Sequence, residues 1–551
     1  MNSWLIRFRI AGRWSKLVAQ LNAASNETAA SSAMRKRFEE DGATLFRGTG
    51  AEFTAALREE LASRQRVVEA GNLYTNQQTD SGPQTRMIDP NKTYDILVAG
   101  GGNAALCATI AARRAGASVL VVESAPKFYR GGNTRHTCNI RCAHDNATDT
   151  LTGPYFEDEF FDDMMKVTAG RTNEPLLRMM IHESKDVLNW IQQQGVHFQP
   201  SLGGTLSLGR TNSFFLGGGR AMLNALYHTA ESLGVDVQYD AEVTALDVRN
   251  GAFVAADVWQ SDAIHKIPAR AFVAACGGHE SNFQWMAEYW GDAAYNFLIR
   301  GTRYNQGTVL KMLHGQGIGE IGDPTQCHAV AIDARAPQYD GGIITRLDCV
   351  VFGIVVNAHA QRFYDEGEDV WPKRYAIWGR LVAQQPGQIA WIIFDQPSLK
   401  MFMPSLFPPI SANSISELAQ KLQLDPTALE ATLRDFNMSV RTGTFDHTIL
   451  DDCHTEGLTP QKSHWARRIE APPFYAYPVR PGITFTYLGV QVNEEARMIM
   501  ADGRPTANMF AAGEIMAGNV LGQGYAAGVG MTIGRVFGRI AGREAAKNVR
   551  N

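Results

Sequence analysis

The sequence predicts an α/β fold: a Rossmann-like dinucleotide-binding domain interrupted by an inserted α+β capping domain, with a small helical extension at the N-terminus. Three observations predict it. An apolar run, Tyr94 to Ala99, leads into Gly100-x-Gly102-x-x-Ala105 and then into helical spacing. A second apolar run, Ser118 to Glu123, ends on an acid. A Gly-rich strand-and-helix pattern returns from Tyr487, after a loop-rich, aromatic stretch between Pro324 and Thr484.

Each element has a local cause. The first glycine allows a tight turn, the second lets backbone approach a pyrophosphate, and the small Ala105 permits close helix–strand packing. The helix that follows, Asn103 to Ala115, offers its N-terminal N–H groups and dipole to an anion. Glu123 stands where a carboxylate accepts both hydroxyls of a ribose. Further on, helical spacing covers Arg220 to Leu233. Strand patterns cover Val235 to Tyr239, Glu242 to Val248, Phe253 to Trp259 and Ala271 to Ala275. A helical pair is expected over Ile415 to Asn437, around Asp425-Pro426.

Bulk properties narrow the class. At 551 residues, two or three domains are expected. A formal net charge of −4, without a basic block, argues against a nucleic-acid partner. The seven scattered cysteines point to a reducing compartment rather than a disulfide framework. Arg7, Arg9, Arg13 and Lys16 interrupt the first twenty residues, so no secretory signal is expected. No uncharged apolar stretch of about 18 residues occurs, so no membrane span is expected. A cytoplasmic location is the default expectation, with peripheral contact to the inner membrane only through a partner.

Two more segments turn a dinucleotide into FAD. Gly131-Gly132-Asn133-Thr134 follows the second strand by a short loop suited to a pyrophosphate and the adjoining ring. Near the end, Met509 to Glu514 reads as a strand running into a turn at Gly513, with Glu514 placed for ribityl hydroxyls. Gly528-Val529-Gly530-Met531-Thr532 then opens a final helix, whose N–H groups would face the flavin N1/O2 edge. The string "RHTCNIRCAH" holds His136, Cys138, Cys142 and His144 but lacks the C-x-x-C pairing of a zinc site, so no metal is expected.

These segments, with "GGGNAALCA", "RGGNTRHTCNIRC", "GVHFQP", "GRTNSFFLGGGRA", "QRFYDEGEDVWPKRYAIWGRL" and "ITFTYLGVQV", resemble the flavoproteins of the fumarate reductase and succinate dehydrogenase family. Within it they are most similar to the tricarballylate dehydrogenases. The resemblance spans roughly Met87 to Asn551. It implies an FAD domain in two parts, 87–322 and 486–551, around a capping domain, 323–485. It implies FAD contacts at Gly100, Gly102, Ala105, Glu123, Gly131, Gly132, Asn133, Thr134, Val243, Gly513, Glu514, Gly530 and Thr532. The position of the covalent flavin link in succinate dehydrogenases falls on Thr134 rather than His136, so non-covalent FAD is expected.

The family's reaction is redox at a carbon–carbon bond flanked by carboxylates. Hydride passes between one carbon and flavin N5, and a proton passes between its neighbour and a side chain. The proton-shuttling arginine of the family falls on Arg374, and its substrate-binding histidine on His328. The relay residues that feed the shuttle fall on Arg346 and Cys349, the second substrate histidine on or beside Phe485, and the C-terminal substrate arginine near Gly524. These departures suit a polyanion other than fumarate. Arg210, Arg346 and Thr345 are expected to join Arg374 around a small tricarboxylate. The implied reaction is oxidation of tricarballylate to cis-aconitate, with electrons leaving to a separate membrane-associated electron-transfer protein. The alternatives are a fumarate-reductase-like reductase of another unsaturated carboxylate, or a non-catalytic flavin-bound ligand sensor.

The first 86 residues form the extension and linker. Thr49 to Ala62 reads as a capped helix and Tyr74 to Lys92 as a polar linker. The stretch Leu21 to Glu69 resembles the C-terminal tail of the periplasmic receptors of tripartite tricarboxylate transporters, without their ligand-binding body. It reads as a gene-fusion remnant, or as an over-long reading frame ahead of a functional start at Met87.

Overall fold

The computed structural model describes residues 88, 92–200, 208–403 and 405–550. Internal contacts divide the chain into Met1–Gln84 and Thr85–Asn551. The structural statements below concern the second unit. The receptor-like stretch and the helix expected over Thr49 to Ala62 lie outside the described residues.

The main sheet grows from β1 (Tyr94–Ala99), whose Ile96, Leu97 and Val98 are fully buried. A parallel strand covered on both faces needs such a continuous apolar run. After the glycine turn come α1 (Asn103–Arg114) and β2 (Val119–Val122), which pairs parallel to β1 with Ile96 opposite Val119. Outside β2 lies β3 (Asp236–Gln238), again parallel. On the other side of β1 lies β4 (Ala263–Ala274), and beyond it the parallel strand Pro505–Ala511. The last strand therefore returns to the sheet that the first strand began, which makes one domain of two separated pieces of sequence. β4 is longer than the strand expected at Ala271 to Ala275. Its first half closes an antiparallel meander with Glu242–Arg249 and Ala252–Gln260.

The inserted segment carries a second sheet. Its centre is Phe474–Thr486, which pairs antiparallel with Cys327–Asp333, Ala390–Asp395 and Ile410–Ala412 and parallel with Leu298–Ile299. The helical pair forms as Ile415–Leu422 and Pro426–Ser439. Ser414 and Asp425 accept hydrogen bonds from the first-turn N–H groups.

The final helix, Val529–Arg550, crosses α1 with the two backbones almost touching. A Cβ added at Gly538 would lie 2.6 Å from the Ala104 carbonyl oxygen, and one at Gly542 would lie 2.1 Å from that of Ala108. Two glycines one helical turn apart are thus the condition for the helix that closes the domain to seat on the helix that opens it. Gly542→Val is expected to destabilise the protein by about 3 kcal/mol or more, since the obstacle is backbone and cannot yield. Gly315→Ala, whose added Cβ meets no atom within 4 Å, should stay within about 1 kcal/mol of the parent. Chemical denaturation of both variants checks the pair.

Candidate active site

A cleft runs along the C-terminal ends of β1 and β2 and into the inserted segment, and the space within it, open solvent at its mouth included, is about 1360 Å³.

At the sheet end the cleft is built of backbone. Gly100 has φ +108°, and a Cβ there would lie 2.3 Å from the Ala275 carbonyl oxygen. At Gly101 a Cβ would lie 2.2 Å from the Tyr227 hydroxyl and 2.3 Å from Glu123 Oε2. A side chain at Gly101 would thus displace the Tyr227 hydroxyl and the Glu123 carboxylate, whereas one at Gly100 would meet backbone. Glu123 is buried at the end of β2. Its Oε1 accepts the Ala125 N–H at 3.0 Å and its Oε2 the Gly131 N–H at 3.3 Å. Burial raises its pKa and these N–H groups hold it down. Ala241, Glu242 and Val243 complete this wall.

The start of α1 has no side-chain cap, which leaves first-turn N–H groups for a ligand. Thr134 Oγ1 takes the Asn103 N–H at 3.1 Å. Gly131 and Gly132 have φ of +98° and +55°, the left-handed backbone of an anion-cradling loop. Ala105 is buried in helix packing, the role expected of its small size, and does not line the cleft. Thr532 is also off the cleft, its hydroxyl donating to the Arg141 carbonyl.

Gly513, Glu514, Gly530 and Met531 line the middle of the cleft opposite Asn133. Glu514 Oε1 accepts the Thr486 N–H at 2.8 Å. Asn305 Nδ2 donates to Glu514 Oε2 at 3.4 Å and to Glu280 Oε1 at 2.8 Å. Burial pushes both carboxyl groups up, and the nearby Glu280 pushes Glu514 up further.

The far end is where sequence and structure part. Arg300, His328, Thr484, Phe485 and Tyr525 line it, with His136 and Thr137 across from them. His328 is held at both nitrogens, Nε2 against the Tyr375 hydroxyl and Nδ1 against Thr484 Oγ1, each at 3.0 Å. Its ring stacks on Tyr525 at 3.9 Å. Burial, with Arg300 and Arg346 nearby, depresses its pKa well below the usual histidine range, so the imidazole is neutral. Arg300 Nη2 donates to Thr484 Oγ1 at 3.1 Å, while its Nε and Nη1 are buried without a partner. The Tyr525 oxygen accepts the Gly530 N–H at 3.0 Å, at the start of the last helix, and burial pushes its pKa up to about 12.

Of the three arginines expected around the substrate, each has a carboxylate of its own. Arg346 is half-buried beside this end, bonded to Asp348 at 2.7 Å, with its guanidinium over the Tyr375 ring and its Nε unpartnered. Arg374 bonds Glu368 and does not line the cleft. Its neighbour Tyr375 does not line the cleft either, but its hydroxyl holds His328, which does. Arg210 is at the surface, held by Glu159 and the Pro154 carbonyl. Thr345 is buried with its hydroxyl on the Gly342 carbonyl, away from the cleft. Cys349 is buried, and the position expected to hold an arginine near Gly524 is answered one residue later by Tyr525. Arg300, Tyr375, Thr484 and Tyr525 carry no sequence signal of their own. The one clue is Arg300 ending a short apolar run just before Gly301-Thr302. In the "RHTCNIRCAH" string, His136 bonds Asp340 and His144 bonds two backbone carbonyls.

Comparison with known proteins decides the family. Residues 95–532 match the model of the FAD-binding domain family. The chain belongs to the FAD-binding flavoproteins of the fumarate reductase and succinate dehydrogenase family. It is 27% identical over 447 residues to a probable fumarate reductase of Shewanella frigidimarina, covering 78% of this chain and 71% of that one. It is 26% identical over 441 residues to an NADH:fumarate oxidoreductase of Klebsiella pneumoniae, 78% of this chain but 45% of that protein, so it spans under half of that relative. The fold is shared with an open-conformation flavocytochrome c3 fumarate reductase: TM-score 0.66, 24% identity, 84% of this chain and 79% of that one. FAD is therefore the cofactor of this cleft, and the glycines that a Cβ would block, with buried Glu123, fit its adenosine and diphosphate. With Thr134 tied to the Asn103 N–H, acid precipitation of the holoprotein should leave all the yellow colour in the supernatant. Colour in the washed pellet would show a covalent link.

Proposed function

We propose that the chain is an FAD-dependent dehydrogenase of carboxylate-flanked carbon–carbon bonds, oxidising tricarballylate to cis-aconitate. The observation that carries this is Arg300: a buried guanidinium at the substrate end of the cleft with two nitrogens unpartnered. A buried cation with free donors is a carboxylate site in waiting, because leaving those donors unpaired costs about 1–3 kcal/mol each. The charge of Arg300 also stabilises enolate-like charge as a proton leaves the carbon next to a carboxylate, whereas Arg346 is already paired with Asp348.

FAD, when bound, supplies the hydride acceptor. The chain's own groups do the rest. Arg300 holds one carboxylate, Tyr525 and Thr484 offer hydroxyls, and neutral His328 is fixed between Thr484 and Tyr375 as a rigid wall. The proton role that the resemblance gives Arg374 requires its guanidinium to leave Glu368 for the cleft. The same groups serve the reverse reaction, and the names of the fumarate-reducing relatives favour reduction of an unsaturated carboxylate as the second reading. The electron partner implied by the resemblance is a separate membrane-associated protein. Among the described residues no helix is long and apolar enough to cross a membrane.

Mixing the holoprotein anaerobically with tricarballylate should bleach the flavin, and succinate should not. Arg300→Gln should raise the tricarballylate concentration for half-bleaching by about 10- to 100-fold. Equal bleaching by succinate, or an unchanged requirement in the variant, contradicts the proposal. Oxidation of pre-reduced flavin by an unsaturated acid, without bleaching by tricarballylate, establishes the reverse reading.

A further inference from the structure

The last helix holds a charge that no carboxylate among the described residues balances. Arg535 is completely buried. Its Nε donates to Asn103 Oδ1 at 2.9 Å, its Nη2 meets the Met222 sulfur, and its Nη1 has no partner. The guanidinium lies over the Phe215 ring at 4.8 Å. Among the described residues no carboxylate stands within ion-pair distance of it. The nearest titratable groups are Cys107 and Cys142, whose thiols burial pushes up to about 11 and about 12, so they are neutral at physiological pH. Burial lowers the guanidinium's own pKa only to about 10, which leaves it charged.

An unpaired cation among apolar and sulfur atoms carries a heavy desolvation penalty. Position 535 does not need one for packing, since methionine fills a similar volume. What lies next to it is the floor of the dinucleotide cradle. Asn103 is the first residue of α1, lines the cleft, and holds Arg535 by its side chain. Its Nδ2 meanwhile donates to the carbonyl of Met531, which also lines the cleft. Gly534, on the same face of the last helix, lines the cleft too.

We infer that Arg535 is the buried counter-charge of the FAD diphosphate, acting through Asn103 from behind the glycine turn rather than by touching the phosphates. The α1 N-terminus faces the anion from one side with partial charges, and Arg535 supplies a full charge from beneath in a medium of low polarisability. The apoprotein thus holds an unbalanced cation, and loading with FAD balances it. Arg535 is a positioning and electrostatic residue for the cofactor. The inference rests on FAD binding alone and stands apart from the choice of substrate.

The test compares ADP, which carries the diphosphate, with adenosine, which does not. Both are titrated calorimetrically into full-length apoprotein freed of its flavin. Arg535→Met should weaken ADP about 10- to 100-fold and leave adenosine within about threefold. The melting temperature of the apo-variant should equal or exceed that of the parent apoprotein. Arg535→Lys, which keeps a charge, should retain most of the ADP affinity and keeps the test open should the methionine variant not fold. Unchanged ADP affinity, or equal losses for ADP and adenosine, would overturn the inference. A lysine variant as weak for ADP as for adenosine relative to the parent would do the same by showing that shape and not charge matters.

Discussion

Everything in this enzyme hangs on backbone approaching backbone around the β1–α1 turn. The turn packs against Ala275 on one side and Glu123 with Tyr227 on the other, and the last helix packs against α1. At Gly100, Gly538 and Gly542 a single added carbon would overlap backbone atoms, and at Gly101 it would overlap the Tyr227 hydroxyl and the Glu123 carboxylate. That constraint fixes where the N–H groups of α1 point. It also ties the C-terminal segment, which brings Glu514, Tyr525 and Gly530, to the same cleft. The cofactor end and the substrate end are therefore positioned by one packing contact made between the first and last pieces of the domain.

The second organising feature is charge placed where water is not. Arg300 and Arg535 are buried and Arg346 is half-buried, and they are treated differently. Arg346 pairs with Asp348 and keeps its Nε unpartnered. Arg300 and Arg535 have no carboxylate among the described residues within ion-pair distance; Arg300 lines the cleft and Arg535 bonds Asn103, which does. Protein interiors tolerate such charges only at a cost in stability, and active sites are where that cost is accepted. The paired arginines Arg210 and Arg374 show the contrast: each is partly exposed and already engaged.

How much of this could be read from the sequence follows from how local each feature is. β1, the glycine turn, α1 and the acid at Glu123 are set by neighbours within thirty residues, so periodicity and turn chemistry sufficed. The strand before Gly513 and the helix after Gly528 were also legible, because each has a strong pattern of its own. The substrate end was not. It gathers Arg300 just past a two-residue strand, a bulged strand at His328 with its partner Tyr375, the end of a long strand at Thr484 and a loop residue at Tyr525. No spacing rule links them. Arg374 ends a single helical turn, Trp371–Arg374, and bonds Glu368, while Tyr375, the next residue, bonds His328. Arg346 looked like a substrate ligand because its partner, two residues on, has no meaning until the loop is folded.

The most direct test is a crystal structure of the FAD-loaded protein with cis-aconitate. The account predicts diphosphate density at Gly101 to Asn103, the flavin ring between Glu514 and His328, and a ligand carboxylate on the free nitrogens of Arg300. A ligand bound away from Arg300, with that guanidinium still unpartnered, would contradict it.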